Sequence, residues 1–260
     1  MRTLLSVLVL LLPVVAVGAD DLSGGNASEG HRIQAKNGGT GIGLAEHAVI
    51  GPDGGTTALT VAARVRVEAF QFGAAVPFAT YRVPGGRDKD LGNIRLWAFY
   101  DLPYGSFDQS VGLRIHFNVG ESAYTWVGAG DELWPGAGID AIWEARIGGG
   151  VTTWMLRGAL GVHTAAGYDP FPDRYARFQV AAGGDFRLNR RFGLVGETSI
   201  QYWDPSPWEI SGLARVDLIE GLRVRAGLVF PVAVWFGWTP ADQPAGVRET
   251  TLLLDLTASF

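Results

Sequence analysis

The sequence predicts an all-β fold, a transmembrane antiparallel up-and-down β-barrel of about twelve strands. Three observations predict it. Segments of about ten residues alternate between an apolar and a polar parity, the length of a tilted strand crossing hydrocarbon. Beyond the N-terminal region no stretch is long and apolar enough for a membrane helix of about 20 residues. The connections between segments are alternately short and long. A chain that crosses a bilayer on strands must close them into a barrel, because lipid offers no partner for an unpaired backbone group.

The N-terminus reads as a secretory signal. Arg2 supplies the positive end, residues 4–17 an apolar core, and Val17-Gly18-Ala19 small residues before a cut. Residues 1–19 are therefore expected to be a signal peptide. The apolar run is short for a membrane anchor, and with no cysteine in the chain a lipid-anchored start is excluded. Residues 20–40, with Ser23-Gly24-Gly25-Asn26 and Asn37-Gly38-Gly39, read as a flexible periplasmic lead. The barrel is expected over 41–260.

Its strands are expected near 41–50, 56–66, 71–82, 91–101, 109–119, 136–147, 151–163, 175–187, 192–203, 208–218, 222–236 and 248–260. The first carries Glu46 on its otherwise oily parity, which suggests a bulge or a shorter strand. The two faces are clearest in mid-chain. Val111, Leu113, Ile115 and Phe117 alternate with Ser110, Gly112, Arg114 and His116. Phe178 and Val180 alternate with Arg177 and Gln179, and Leu222, Val224, Ala226 and Leu228 with Arg223 and Arg225. Period two places one set toward lipid and the other toward the lumen.

The connections at 148–150, 188–191 and 219–221 read as tight turns; those at 67–70 and 102–108 belong to the same side. Those at 83–90, 120–135, 164–174 and 237–247 are longer and carry Asp, Gly, Pro and aromatics. Short turns on the periplasmic side and long loops outside is the pattern of such barrels. Aromatics cluster at both ends of the strands. Trp126, Trp134, Tyr168, Phe171, Tyr175, Trp203, Trp208, Phe236 and Trp238 lie near the outer ends, and Tyr104, Trp143, Phe186, Phe192 and Phe260 near the inner ends. Two girdles of amphipathic rings suit the two membrane interfaces.

From Thr250 onward Leu252, Leu254, Leu256, Ala258 and Phe260 alternate with Thr251, Leu253, Asp255, Thr257 and Ser259. A terminal alternating strand closed by an aromatic resembles the bacterial outer-membrane β-barrel proteins. The resemblance implies residence in the bacterial outer membrane of a Gram-negative cell, with membrane lipid and the barrel-assembly machinery as partners. It also implies that Phe260 is part of the signal this machinery reads.

The inferred inward face is strongly ionic. Its bases are Arg64, Arg66, Arg95, Arg114, Arg146, Arg157, Arg177, Arg187, Arg215, Arg223 and Arg225. Its acids are Asp140, Glu144, Asp185, Glu197, Glu209, Asp217 and Asp255. These are the candidate lumen residues, with His116 and His163 beside them. Two arrangements fit: a cross-lumen network of Arg–carboxylate pairs that fixes the shape of the barrel, favoured by the mixed signs, or a basic conduit that selects anions. A His pair can bind metal or carry protons, but no further residue stands at ligand spacing, so no metal and no cofactor is expected.

No catalytic set is expected. An outer-membrane lipase needs a Ser–His pair on its lipid side, whereas Ser110 and His116 share the inward parity. A Gly-x-Ser-x-Gly elbow and a phosphate-binding glycine loop are absent. The net charge of −5 gives no argument for nucleic acid.

The stretch Pro77-Phe78-Ala79-Thr80-Tyr81-Arg82, a glycine-rich connection, and Leu91-Gly92-Asn93-Ile94-Arg95-Leu96 resemble the repeated pattern of the outer-membrane proteins assigned to phenol-degradation pathways. Asn93 stands where that pattern has Asp. The resemblance implies transport of a small molecule. The expected function is passive or facilitated passage of a small solute through an arginine-rich lumen; the alternative is a closed structural or adhesive barrel whose outer loops bind a partner.

Overall fold

The computed structural model describes residues 40–50, 57–83, 86–91, 93–102, 108–118, 137–149, 151–164, 174–202, 208–219, 222–231 and 250–259. The expected signal segment and lead up to residue 39, the connections 120–135 and 237–247 and Phe260 lie outside the described residues.

The described residues form thirteen strands. They are β1 (Gly41–Ile50), β2 (Thr57–Val67), β3 (Phe70–Val83), β4 (Gly86–Leu91), β5 (Asn93–Leu102), β6 (Asp108–Asn118) and β7 (Ala137–Gly149). There follow β8 (Thr152–Thr164), β9 (Arg174–Arg187), β10 (Phe192–Tyr202), β11 (Trp208–Ile219), β12 (Leu222–Pro231) and β13 (Thr250–Ser259).

Every pairing is antiparallel, and apart from β4 each strand bonds its sequence neighbours. β5 pairs directly with β3. The ring closes where β1 pairs with both β2 and β13: Gly43 faces Ala62 on one side and Thr257 on the other. Twelve strands, all but β4, make up the ring. Closure leaves no long free edge in the wall, which is what allows strands to replace helices in a bilayer.

The connection expected at 83–90 is instead the tip of a hairpin. β3 runs on to Val83 and β4 returns from Gly86, with Phe78 paired to Leu91 and Val83 to Gly86. The pair Pro84-Gly85 joins them, a composition suited to a tight turn. Below this hairpin β3 pairs with β5, Ala75 to Arg95. Three steps along β3 thus match four on the returning side, so one extra residue lies between Leu91 and Arg95. Such a bulge switches parity and lets Leu91 and Leu96 both point outward.

Burial follows the alternation strand by strand. β8 reads as alternately buried and exposed over nearly its whole length. Its exposed side chains are Trp154, Leu156, Leu160 and Val162, and its buried ones include Met155, Arg157, Ala159 and His163. The same inversion, apolar out and charged in, holds on β6, where Leu113 and Ile115 are exposed and Arg114 and His116 buried. A water-soluble protein cannot leave such an apolar exterior wet; a bilayer can solvate it.

The turn after β9 is built as its sequence predicts. Between β9 and β10, Asn189 Oδ1 accepts hydrogen bonds from the backbone N–H of Arg191 (2.8 Å) and Phe192 (2.9 Å). This is the local side-chain capping that makes Asn a turn residue. Between β2 and β3 the loop is Glu68-Ala69, and Glu68 sits at φ 53°. That is the left-handed region, at the first loop position, where two-residue hairpins take glycine. Glu68→Gly is expected to stabilise the folded barrel by about 0.5 kcal/mol, since relief of the strained φ slightly exceeds the added chain entropy. Urea midpoints of the two proteins refolded into the same vesicles check the sign.

At the turn end of the barrel the rings face outward. Phe70 packs against Tyr100 (centroids 4.9 Å apart) and Phe72 (6.2 Å), and Trp154 meets the edge of Phe186 at 5.6 Å. Trp143 and Phe192 are exposed at the same end, and Trp143 Nε1–H donates to Gln109 at 3.2 Å. This girdle contains Trp143, Phe186 and Phe192, expected from the sequence, and adds Phe70, Phe72, Tyr100 and Trp154. The expected outer-end aromatics Trp126, Trp134, Tyr168, Phe171, Trp203, Phe236 and Trp238 lie outside the described residues, as does Tyr104 of the inner set.

Candidate functional site

The inner face of the barrel collects its charged residues into three groups. Each is assembled by strand register rather than by proximity in sequence.

The first lies on β6, β7 and β8, near their long-loop ends. Arg114, Asp140 and Gly161 occupy one register row, and His116, Gly138 and His163 the next. Arg114 donates to Asp140 Oδ2 from both Nε (2.9 Å) and Nη2 (2.7 Å), and His163 Nε2–H donates to Asp140 Oδ1 at 2.8 Å. One carboxylate therefore orients both a guanidinium and an imidazole. Arg177 of β9, in register with Gly161, acts electrostatically on the same carboxylate. The rings of His116 and His163 lie 4.8 Å apart, tilted by 38°. His116, Asp140 and His163 are each only 1% exposed. The two rings lie over Gly138: a Cβ there would come within 2.3 Å of His163 and 2.7 Å of His116. Glycine at this point leaves the slot that the pair fills.

A second group joins β2, β3 and β5 at the turn end. Arg66 Nη2 donates to Asp101 Oδ2 at 2.6 Å, and Gln71 Nε2 to Asp101 Oδ1 at 3.3 Å. On the next wall Arg157 and Glu144 are register partners, with Nε and Oε1 3.7 Å apart.

The third group is on β9, β11 and β12. Arg215 bonds Asp185 and also approaches Asp217 at 3.6 Å, and Arg223 donates to Asp217. Arg215 and Arg225 are register partners, and Arg225 in turn faces Asp255 of β13. The side chain of Asp255 lies outside the description, as does that of Glu209.

Arg64, Arg95, Arg114, His116, Asp140, Glu144, Arg146, Arg157, His163, Arg177, Glu197, Arg215 and Arg225 are buried on the inner face. Arg66, Asp185, Asp217 and Arg223 are half-buried and oriented to the same side through their ion pairs. Arg187 shares the parity of Asp185 and is exposed at the end of β9, where it pairs with Gly193 beside the turn to β10.

The inner wall also holds residues the sequence reading did not select. Trp97 and Phe99 share the inward parity of Arg95 and Asp101 and are 4% exposed. With Ala62, Ala75, Ile142 and Ala159 they form an apolar strip between charged groups. The ring of Trp97 takes up the space that a Cβ on Gly73 would need. Asp101 is a buried polar member of the same face, as are Gln71 of β3 and, as their parity predicted, Ser110 and Gln179. The signal for the β5 residues was the parity of that strand itself: if Arg95 points inward, so do residues 97, 99 and 101.

Among the described residues no group of three or more His, Cys, Asp or Glu side chains could hold a metal ion. The arrangement is one of paired charges and hydrogen-bonding groups facing an enclosed interior.

No protein-family model and no curated protein matches the chain. Solved structures do. The chain is similar to the NanC porin, with a TM-score of 0.58 and 8% identity over 84% of this chain and 100% of that one. It is also similar to an outer membrane channel from Pseudomonas putida F1, with a TM-score of 0.56 and 11% identity over 94% of this chain and 100% of that one. At such low identity the likeness is one of fold: the chain has the fold of the β-barrel channels of bacterial outer membranes.

Proposed function

We propose that this protein resides in the bacterial outer membrane and passes a small solute through its arginine-rich lumen without catalysis. The observation that carries the reading is the inversion of the wall. Apolar side chains such as Leu113, Val180 and Leu160 cover the outside, while a closed ring of strands encloses Arg–carboxylate pairs and hydrogen-bonding groups. Membrane lipid is the partner of the outer face. Phe260 is proposed as part of the signal for the assembly machinery, and residues 120–135 and 164–174 as extracellular loops. Lumen arginines outnumber lumen carboxylates, so the solutes favoured are neutral or anionic.

A specific observation favours the alternative of a closed structural barrel. Arg95, Arg157, Arg215, His116, His163 and Gln179 are fully buried inside the ring, so the inner side chains pack closely. Conductance of the purified protein in a planar bilayer separates the two readings. Discrete channel openings are expected, and their absence would favour the closed barrel. In a conducting protein, Arg114→Glu combined with Arg177→Glu is expected to move selectivity toward cations, reversing the sign of the zero-current potential in a salt gradient. An unchanged potential would remove the arginines from the selectivity mechanism.

A further inference from the structure

We propose that glycines of the inner wall, Gly73 above all, set the bore of the lumen by seating large side chains of the neighbouring strand against the wall. The proposal rests on the reading of the lumen as a solute passage. It goes beyond that reading by naming residues that fix the width.

The observation is a repeated pairing. Trp97 of β5 is the register partner of Gly73 of β3, and its indole takes up the space that a Cβ on Gly73 would need. Phe99 stands in the same relation to Gly112 of β6, His163 to Gly138 of β7, Asp140 to Gly161 of β8, and Arg215 to Gly193 of β10. In each pair the large side chain reaches sideways over the bare backbone of the next strand. Directly opposite Cβ atoms of an antiparallel pair lie only about 5 Å apart. With any other residue in place of the glycine, that room is taken and the large group must turn elsewhere.

For Trp97 the other directions are occupied. Arg95 and Phe99, buried like it, hold the flanking inward positions of β5, and Arg114 is its register partner on β6. Ala62 of β2 and Ala75 of β3 belong to the same apolar cluster as the indole. Outward lies the backbone of the wall. An indole displaced from Gly73 therefore turns toward the axis and narrows the passage. At Gly112 a Cβ would also meet the backbone carbonyl of Ala98, so a change there shifts the strand as well as the ring. Gly73 is the position where the ring alone must give way.

Planar-bilayer recording reads the bore. Gly73→Ala is expected to lower single-channel conductance about twofold, and Trp97→Ala added to it to bring conductance back to within about 1.5-fold of the wild type. Gly158→Ala is the control: it lies on the exposed parity of β8, where an added Cβ meets nothing within 4 Å. An unchanged conductance in Gly73→Ala, or a double variant as narrow as the single one, would overturn the proposal. Trp97→Ala alone creates no clash and is expected to raise conductance by less than about 1.5-fold, because a ring seated in the wall takes little from the passage. A gain of severalfold would make the indole a plug, and the seat at Gly73 would lose its meaning.

A second measurement needs no conductance. Fluorine magnetic resonance of the micelle-folded protein labelled with fluorotryptophan, with Trp97 assigned through Trp97→Phe, follows the ring itself. Exchange of light for heavy water shifts a fluorine in contact with solvent. The wild-type ring is 4% exposed and its resonance should hardly respond, whereas that of Gly73→Ala should move. Equal indifference in both proteins would overturn the seat. A ring that turns out in a protein that never conducts would instead refute the channel reading.

Discussion

Val180→Arg is expected to destabilise the barrel by about 2–4 kcal/mol when it is refolded into lipid, the usual effect of an arginine on the lipid face near the bilayer midplane. Val180 is 46% exposed in the middle of β9, and Arg177, three residues away on the opposite face, is 5% exposed. This strand therefore carries its own control. Arg177→Gln removes a lumen charge but keeps a polar side chain in a polar interior, and Asp140 retains Arg114 and His163. It is expected to cost less than about 1.5 kcal/mol, the scale of a single hydrogen bond. Unfolding in urea from vesicles of one lipid composition compares the two. Equal losses would mean that the faces of β9 have been assigned wrongly, and with them the distinction between lipid and lumen on every strand in register with it.

The contrast between those two residues was legible in the sequence, and the reason is geometric. A strand alternates its side chains by construction, so one arginine in an alternating run fixes the orientation of every residue on that strand. β6, β8, β9 and β12 were readable for this reason. The β3–β4 hairpin was not. Gly86-Arg87-Asp88-Lys89-Asp90 has no apolar parity, and a segment that lacks an oily face looks like a loop whether or not it pairs. Its strand character comes from its partner: β3 continues to Val83 and offers a free row of backbone groups. The change of register between β4 and β5 was hidden similarly, because a parity switch shows only when two strands are laid side by side.

The candidate site divides along the same line. That Arg114, His116, Asp140 and His163 point inward follows from single strands. That they meet does not. Asp140 reaches His163 only because Gly138 of β7 is level with His163 of β8, a register carried down the ladder from Gly149 opposite Thr152, next to Gly148, whose φ of 94° glycine alone readily adopts. The inward seats of Trp97 over Gly73 and of Phe99 beside Gly112 likewise depend on alignment between strands. A large inward ring opposite an inward glycine is a signal that could have been sought, once the pairing was known.

That register makes Asp140 the residue with the largest expected effect inside the lumen. It holds a guanidinium by two hydrogen bonds and an imidazole by a third, and both partners are buried with it. Asp140→Ala removes the carboxylate and leaves Arg114 charged in a place where water reaches it poorly. Breaking a buried pair from one side in this way costs about 3–5 kcal/mol, far more than an exposed pair would. Asp140→Asn keeps the shape and one acceptor but not the charge, and should fall between the wild type and Asp140→Ala. The decisive comparison is the double change Arg114→Gln with Asp140→Asn. Because it removes both charges and leaves groups that can bond each other, it is expected to recover more than half of the loss caused by Asp140→Ala. Urea unfolding in vesicles measures all three together with the single change Arg114→Gln. If the double variant is as unstable as the sum of its parts, Arg114 and Asp140 are not acting as a pair, and the ion pair would lose its place as the organiser of the β6–β7–β8 wall.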